Sequence, residues 1–207
     1  MPRITEVVKQ LLFINIGIFI LTELAMPNLR YILSLYYPTT DFFKPWQMVT
    51  HMFMHADFNH LLFNMFALYM FGTALESYWG AKRFLQFYLI CGLGAMMLYL
   101  GVWYLEVSAF EPFMYQQFLQ TPIPMMGASG AIFGLLAGYG KMFPNSTIML
   151  LIPPIPMKAK YFVLIYAVIE LIFGISGIQT GVAHFAHLGG AIFGAAMVFY
   201  WRKNRLL

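Results

Sequence analysis

Six apolar stretches, at about 8–27, 58–78, 83–105, 126–143, 159–178 and 184–201, alternate with segments that carry nearly all of the charge. Most reach the roughly 20 residues that an α-helix needs to cross the hydrocarbon core of a bilayer. Their apolar residues run continuously and do not alternate at period two, which argues against a β-barrel. Only 10% of the residues are charged and 61% are hydrophobic, where a soluble domain carries about a quarter charged residues. The expectation is an all-α membrane protein, a bundle of six transmembrane helices forming one domain over 1–207. The first stretch is long, opens with Pro2-Arg3 and lacks a small-residue cleavage site, so it reads as a span and not as a signal peptide.

The cations assign a topology. With a cytoplasmic N-terminus, Arg3, Lys9, Lys82, Arg83, Lys141, Lys158, Lys160, Arg202, Lys203 and Arg205 all fall on the inner side, and only Arg30 and Lys44 fall outside. Ten against two, spread over several short loops, is a strong positive-inside bias and places both termini in the cytoplasm. The net charge of +4 is thereby accounted for without a nucleic-acid partner. Cys91 is the only cysteine and lies in the third stretch, so no intrachain disulfide and no Cys-rich metal site is available. The long first outer loop, 27–57, mixes turn residues with aromatics and is expected to lie partly in the membrane interface. Glu106–Met126 forms the second outer loop, and Pro144-Asn145 and Pro153–Pro156 bracket an inner one. No repeat and no second domain is visible, and nothing specifies an oligomeric state.

Polar groups inside the spans carry the chemical information, because each needs a partner in a medium without water. Glu23, His51, His55, His60, Asn64, Glu76, Ser129, Glu170, His184 and His187 are the candidates. The second, fourth and sixth stretches all run from outside to inside, and Asn64, Ser129 and His187 each lie near such a start. Asn64 precedes Glu76 by 12 residues, Ser129 precedes Lys141 by 12 and His187 precedes Arg202 by 15. At 1.5 Å per residue this is ~18–22 Å of helix in a core of ~30 Å, so the three groups share a depth of roughly 10 Å below the outer surface. Contact between the fourth and sixth spans requires small residues, and Gly130/Gly134/Gly138 and Gly190/Gly194 recur at four-residue spacing.

A serine hydroxyl becomes nucleophilic when a neutral imidazole can take its proton, and His187 is the candidate base for Ser129. Ser129 also sits where a helix begins, so its backbone N–H and the positive end of the helix dipole are available to an oxyanion. His60 and Asn64, four residues apart on one helical face, offer further donors. The expected pH dependence is a loss of activity on acidification as His187 takes up a proton.

These residues match a known pattern. Met126-Gly127-Ala128-Ser129-Gly130 resembles the GxSG nucleophile motif of the rhomboid family, and Ala186-His187-Leu188-Gly189-Gly190, with Gly194 beyond it, resembles that family's catalytic-histidine motif. His51-Met-Phe-Met-His55-Ala-Asp-Phe-Asn-His60-Leu-Leu-Phe-Asn64 is similar to its second-helix signature, and the resemblance continues through Gly72, Glu76 and Gly80. It implies a rhomboid-like six-helix core of minimal, bacterial type in a multi-pass plasma-membrane protein. It also implies an intramembrane serine endopeptidase with a Ser129/His187 dyad, no acid, no cofactor and no metal. His60, Asn64 and the Ser129 N–H would line the oxyanion hole, Gly127, Gly130, Gly190 and Gly194 would support it, and Phe133 would pack on the histidine. The implied partners are single-pass transmembrane substrates, cut near the outer face, and the lipid bilayer. Family analogy puts the substrate gate at span five and the loop before span six. The sequence departs from the family at Trp46-Gln47, where an arginine commonly follows the tryptophan, so that arginine's loop-bracing role does not carry over. Appended regulatory domains are not expected.

Blander readings stand beside these. Ser129 could simply cap its own helix, and His187 could be an interhelical hydrogen-bond partner. His51 and His55 lack the glutamate of an HExxH zinc site, and one of them is expected to brace the first loop. Asp57 reads as an N-cap, His184 as structural or lining a water path, and Glu23, Glu76 and Glu170 as interhelical hydrogen-bonding groups. The alternative functions are a catalytically silent rhomboid-like protein that binds membrane helices, which the intact Ser129/His187 pair disfavours, and a small transporter, which the lack of paired broken half-repeats disfavours.

Overall fold

The computed structural model describes residues 3–149, 154–176 and 183–206. Pro153, residues 177–178 of the fifth apolar stretch and the loop before the sixth lie outside them. In chain order the helices are α1 (Glu6–Leu24), α2 (Asn28–Leu33), α3 (Gln47–Thr50, running into a 3₁₀ turn His51–Phe53), α4 (Phe58–Ala67), α5 (Thr73–Trp79), α6 (Ala81–Ser108), α7 (Pro112–Gln120), α8 (Ser129–Met142), α9 (Ala159–Ser176) and α10 (His184–Lys203). A π turn, Leu68–Gly72, joins α4 to α5 in one helical run. A two-stranded antiparallel hairpin, β1 (Thr147–Met149) and β2 (Pro156–Lys158), pairs Ile148 with Met157 between α8 and α9.

This is the all-α membrane architecture that the apolar pattern predicts. By length and composition α1, α6 and α9 are each able to cross a bilayer. The run α4–α5, with α8 and α10, takes up the other apolar stretches. α8 has only 14 residues, about 21 Å of helix, although its apolar stretch begins at 126. Gly127 explains the late start: its φ of +133° is outside the right-handed helical region, so the chain turns there and the helix begins at Ser129.

α6, α8 and α10 pack directly against one another, and the glycines set how closely. A Cβ on Gly190 would stand 1.8 Å from the carbonyl oxygen of Gly130, and one on Gly194 would stand 2.6 Å from that of Gly134. The α10 glycines thus receive backbone carbonyls of α8. Gly130 and Gly134 open instead toward α6, where a Cβ would meet Ala95 Cβ and Cys91 Cβ, each at 2.4 Å. Cys91, fully buried, is a packing residue at this contact. At the opposite end from Ser129, Arg202 donates to the Lys141 carbonyl at 2.9 Å, so α8 and α10 run parallel with their charged ends together.

Two buried polar side chains organise the rest. Glu76 accepts from Thr5 Oγ1 at 2.5 Å, Val7 N at 3.0 Å and Val8 N at 2.9 Å. It is the N-terminal cap of α1 supplied by another helix, satisfying donors that the first turn leaves unpaired. Gln47, 1% exposed, holds the loop 27–57: its Nε2 donates to the Ile32 and Phe42 carbonyls and its Oε1 accepts from Lys44 N. The bracing that the resemblance withheld from this position is therefore performed by a neutral amide. Glu23 has the interhelical partner expected of it: on α1, it accepts from Arg30 on α2, an ion pair at the edge of the loop 27–57. Tyr37, Trp103 and Phe118 pack edge to face and tie α7 to that loop and to α6.

Candidate active site

The segment leading into α8 is clamped before it reaches Ser129. Leu35 and Met125 exchange two backbone hydrogen bonds, at 2.9 and 2.8 Å, and Gly127 N donates to the His51 carbonyl at 2.9 Å. The loop 27–57 therefore fixes the turn from which the serine projects. His51 is itself held by its Nδ1 contact to the Gln47 carbonyl at 2.8 Å, the loop-bracing role expected for one of this pair. His55 lies 5.1 Å from His60, ring centroid to centroid and edge to face.

His51 and His55 are both 1% exposed. Burial pushes His51 down to about 4, against a smaller pull from the Gln47 carbonyl. Burial and then the neighbouring His60 push His55 down to about 3. A histidine depressed in the fold is protonated first in the unfolded chain, so its stabilisation is complete above the unfolded value of about 6.5 and is lost as pH falls through that value toward the folded one. Thermal unfolding of detergent-purified protein should shift to lower temperature between roughly pH 6.5 and 4. His51→Gln, which keeps a donor for the Gln47 carbonyl, should flatten part of that slope. A wild-type midpoint independent of pH across the window would contradict the burial of neutral imidazoles.

Ser129, half-buried, opens α8, and His187, 8% exposed, lies in the first turn of α10. His187 Nε2 is 2.8 Å from Ser129 Oγ. Phe133, one turn along α8, stacks on the imidazole with centroids 4.2 Å apart and planes 5° from parallel. Together they leave the ring little freedom to turn away from the hydroxyl. On its other side His187 Nδ1 is 3.1 Å from Glu170 Oε1, and Glu170 Oε2 is 2.6 Å from His184 Nδ1. The resemblance implies a pair without an acid, and the structure differs by setting a carboxylate against the back of the imidazole. Sequence reasoning missed this role. The signal available was one acid in the fifth span and two histidines three residues apart at the start of the sixth.

Across from this pair is α4. Asp57 is its N-cap, accepting from His60 N at 2.9 Å. Asn64 is buried and donates one amide hydrogen to the His60 carbonyl at 2.7 Å, leaving its second donor for another group. Beside Gly127, the point where a Cβ would stand is 2.9 Å from His60 Nε2 and 3.4 Å from Ser129 Oγ. Ser129 and His60 thus face one small space that exists because residue 127 has no side chain. The arrangement offers a nucleophile, a base, and several N–H donors at a helix start, which is the equipment of acyl transfer.

Comparison with known proteins agrees in kind. The family model described as "Rhomboid domain" matches residues 43–204. RHOMBOID-like protein 12, mitochondrial, from Arabidopsis thaliana is 29% identical over 97% of this chain and 60% of its own length. Rhomboid protein 1, mitochondrial, from Saccharomyces cerevisiae is 30% identical over 73% of this chain and 40% of its own. Rhomboid protease AarA from Providencia stuartii is 34% identical over 72% of this chain and 53% of its own. The chain therefore spans 40% to 60% of the length of these relatives. They include mitochondrial and bacterial proteins, so the likeness assigns the chain to a membrane and not to a particular one.

Proposed function

This chain belongs to the rhomboid family, and on that premise we propose that it is an intramembrane serine endopeptidase that cleaves single-pass transmembrane proteins near the outer membrane face. The observation that carries the reading is the 2.8 Å contact of His187 Nε2 with Ser129 Oγ, made between two helices at a helix start. A relative of which 72% of this chain is the counterpart is named a rhomboid protease, which supports the same activity here.

The reaction follows from the positions. His187 Nε2 takes the Ser129 hydroxyl proton as Oγ bonds to the scissile carbonyl carbon, and the carbonyl electron pair moves onto oxygen. The resulting oxyanion is met by the Ser129 N–H, the second Asn64 amide hydrogen and His60, each such donor worth about 3 kcal/mol in soluble enzymes. The imidazolium then protonates the leaving nitrogen as the C–N bond breaks, and a water, deprotonated by His187, hydrolyses the acyl-enzyme. The inner bias of the cations supports an orientation with the site opening outward and both termini inside.

An activated serine should react covalently with a fluorophosphonate probe. Folded protein in detergent is expected to be labelled on a single peptide containing Ser129, with labelling suppressed by a bound transmembrane substrate. A folded preparation that takes up no probe and cuts no single-pass substrate would support the silent helix-binding alternative.

A further inference from the structure

α9 is the least embedded of the long helices: among its described residues only Ala159, at its inner end, and Glu170 are buried. A helix that meets lipid over most of its surface has no need of a carboxylate midway along it, and a carboxylate in that setting must be held by partners. Glu170 has two. Its Oε2 is 2.6 Å from His184 Nδ1 and its Oε1 is 3.1 Å from His187 Nδ1, and both histidines belong to the first turn of α10. The nitrogen of His187 that faces Glu170 is the one that Ser129 does not use.

Resting on the protease reading, we propose that Glu170 is a positioning residue of the site, a third member whose carboxylate holds His187 with its proton on Nδ1 and its Nε2 lone pair toward Ser129. A neutral imidazole carries one proton, and its base must be the nitrogen without it. With Nδ1 protonated, Nε2 is free to accept from the Ser129 hydroxyl. With the other tautomer Nε2–H would donate to Ser129 Oγ across the same 2.8 Å, and no proton could be taken from the hydroxyl. Nδ1 is buried and has no aligned hydrogen bond among the described residues, and the Glu170 carboxylate lies 3.1 Å from it. The N–H is off the line to Oε1, and a small motion of α9 or of the carboxylate completes the bond. His184 fixes the other oxygen and so limits the carboxylate's rotation, the part that an outer partner plays behind an orienting group. Phe173 stacks on His184 at 5.5 Å and adds a second tie between α9 and α10.

A consequence follows for α9. The base is held in its working tautomer only while this helix is docked, so a substrate that displaces α9 on its way in separates His187 from its carboxylate until the helix returns. Chemistry is then fastest in the closed arrangement.

The test is steady-state cleavage of a fluorogenic single-pass substrate by the full chain in detergent, across pH, with Glu170→Gln and Glu170→Asp. The titratable groups around His187 are Glu170 on α9, His184 on α10 and His60 on α4, with Tyr166 of α9 behind Phe133. Glu170→Gln should lower plateau kcat by about 10- to 100-fold with KM within about twofold, less than the loss on removing a fully aligned acid. Glu170→Asp should recover part of kcat. A merely structural Glu170 would lower the unfolding temperature and leave the kcat of the folded molecules in place. Wild-type kcat in Glu170→Gln overturns the proposal. If that variant does not fold, ¹⁵N spectra of histidine-labelled wild-type protein decide the matter, with the His187 signals identified by their loss in His187→Ala. The proton is expected on Nδ1, and neutral His187 protonated on Nε2 overturns the role. Should Ser129→Ala still cut the substrate, the protease reading fails and this one with it. Should Ser129→Ala be inert while Glu170→Gln is wild type, only the role of Glu170 fails.

Discussion

Ser129→Ala should reduce cleavage of a single-pass substrate by at least about 10⁴-fold, or about 5.5 kcal/mol of transition-state stabilisation, and His187→Ala should do the same. Ser129→Ala removes only one half-buried oxygen, whereas His187→Ala empties the buried place against Phe133 and takes a partner from Glu170. The unfolding temperature is therefore expected to stay near the wild-type value in Ser129→Ala. The double variant should be no slower than either single one, because a nucleophile without its base and a base without its nucleophile are equally idle. The measurement is single-turnover cleavage in detergent with folding monitored in parallel. Two single losses that multiply would mean that the two groups act separately. Cleavage at wild-type rate in both would place the chemistry elsewhere in the molecule.

The long elements were legible because a bilayer imposes length and polarity together, and few sequences satisfy both by chance. Shorter features were not. The π turn at Leu68–Gly72 lies inside a uniformly apolar run and leaves no mark in periodicity. The helix α7 and the hairpin β1–β2 occupy segments that composition alone assigns to loops. The capping of α1 by Glu76 joins residues about 70 positions apart, and its stabilisation depends on how the start of α1 meets α5. Gln47 likewise acts only once Ile32 and Phe42 have been folded around it.

At the site, the common depth of Asn64, Ser129 and His187 could be read because helical rise converts residue counts to distance. Depth is one coordinate, and rotation about the helix axis is another. For α8 and α10 the glycine stripes fix that rotation, which is why a serine next to Gly130 and a histidine three residues before Gly190 were expected to meet. For α9 no such marker exists. Its residues are apolar on every side, so the sequence does not say which way Glu170 points, and its contact with His187 needed coordinates. The closeness of His60 to Gly127 is a similar case, since it depends on the positive φ at Gly127 more than on any property of His60.

Gly190→Ala tests whether the interhelical contact, and not just the two reacting groups, makes the site. The added carbon would stand 1.8 Å from the Gly130 carbonyl oxygen, where ordinary contact begins at 3.4 Å. Both atoms that clash are held by helical backbone, so relief requires α8 and α10 to part by about 1.6 Å along that line, with loss of packing along their length. The expected cost is about 3 kcal/mol or more, seen as a fall in unfolding temperature. The same displacement falls on the site, since Gly130 adjoins Ser129 and Gly190 is one turn from His187. Parting them by 1 Å or so lengthens the 2.8 Å contact beyond hydrogen bonding, and a misplacement of that size costs on the order of 10²-fold in rate. Protein that survives folding should therefore cut slowly and label poorly with a fluorophosphonate. Gly101→Ala is the matched control: it lies in α6 with nothing within 4 Å of a new Cβ, so stability and rate should be unchanged or slightly improved. If Gly190→Ala behaved like Gly101→Ala, the close approach of α8 and α10 would be wrong, and the meeting of Ser129 with His187 would lose its structural basis.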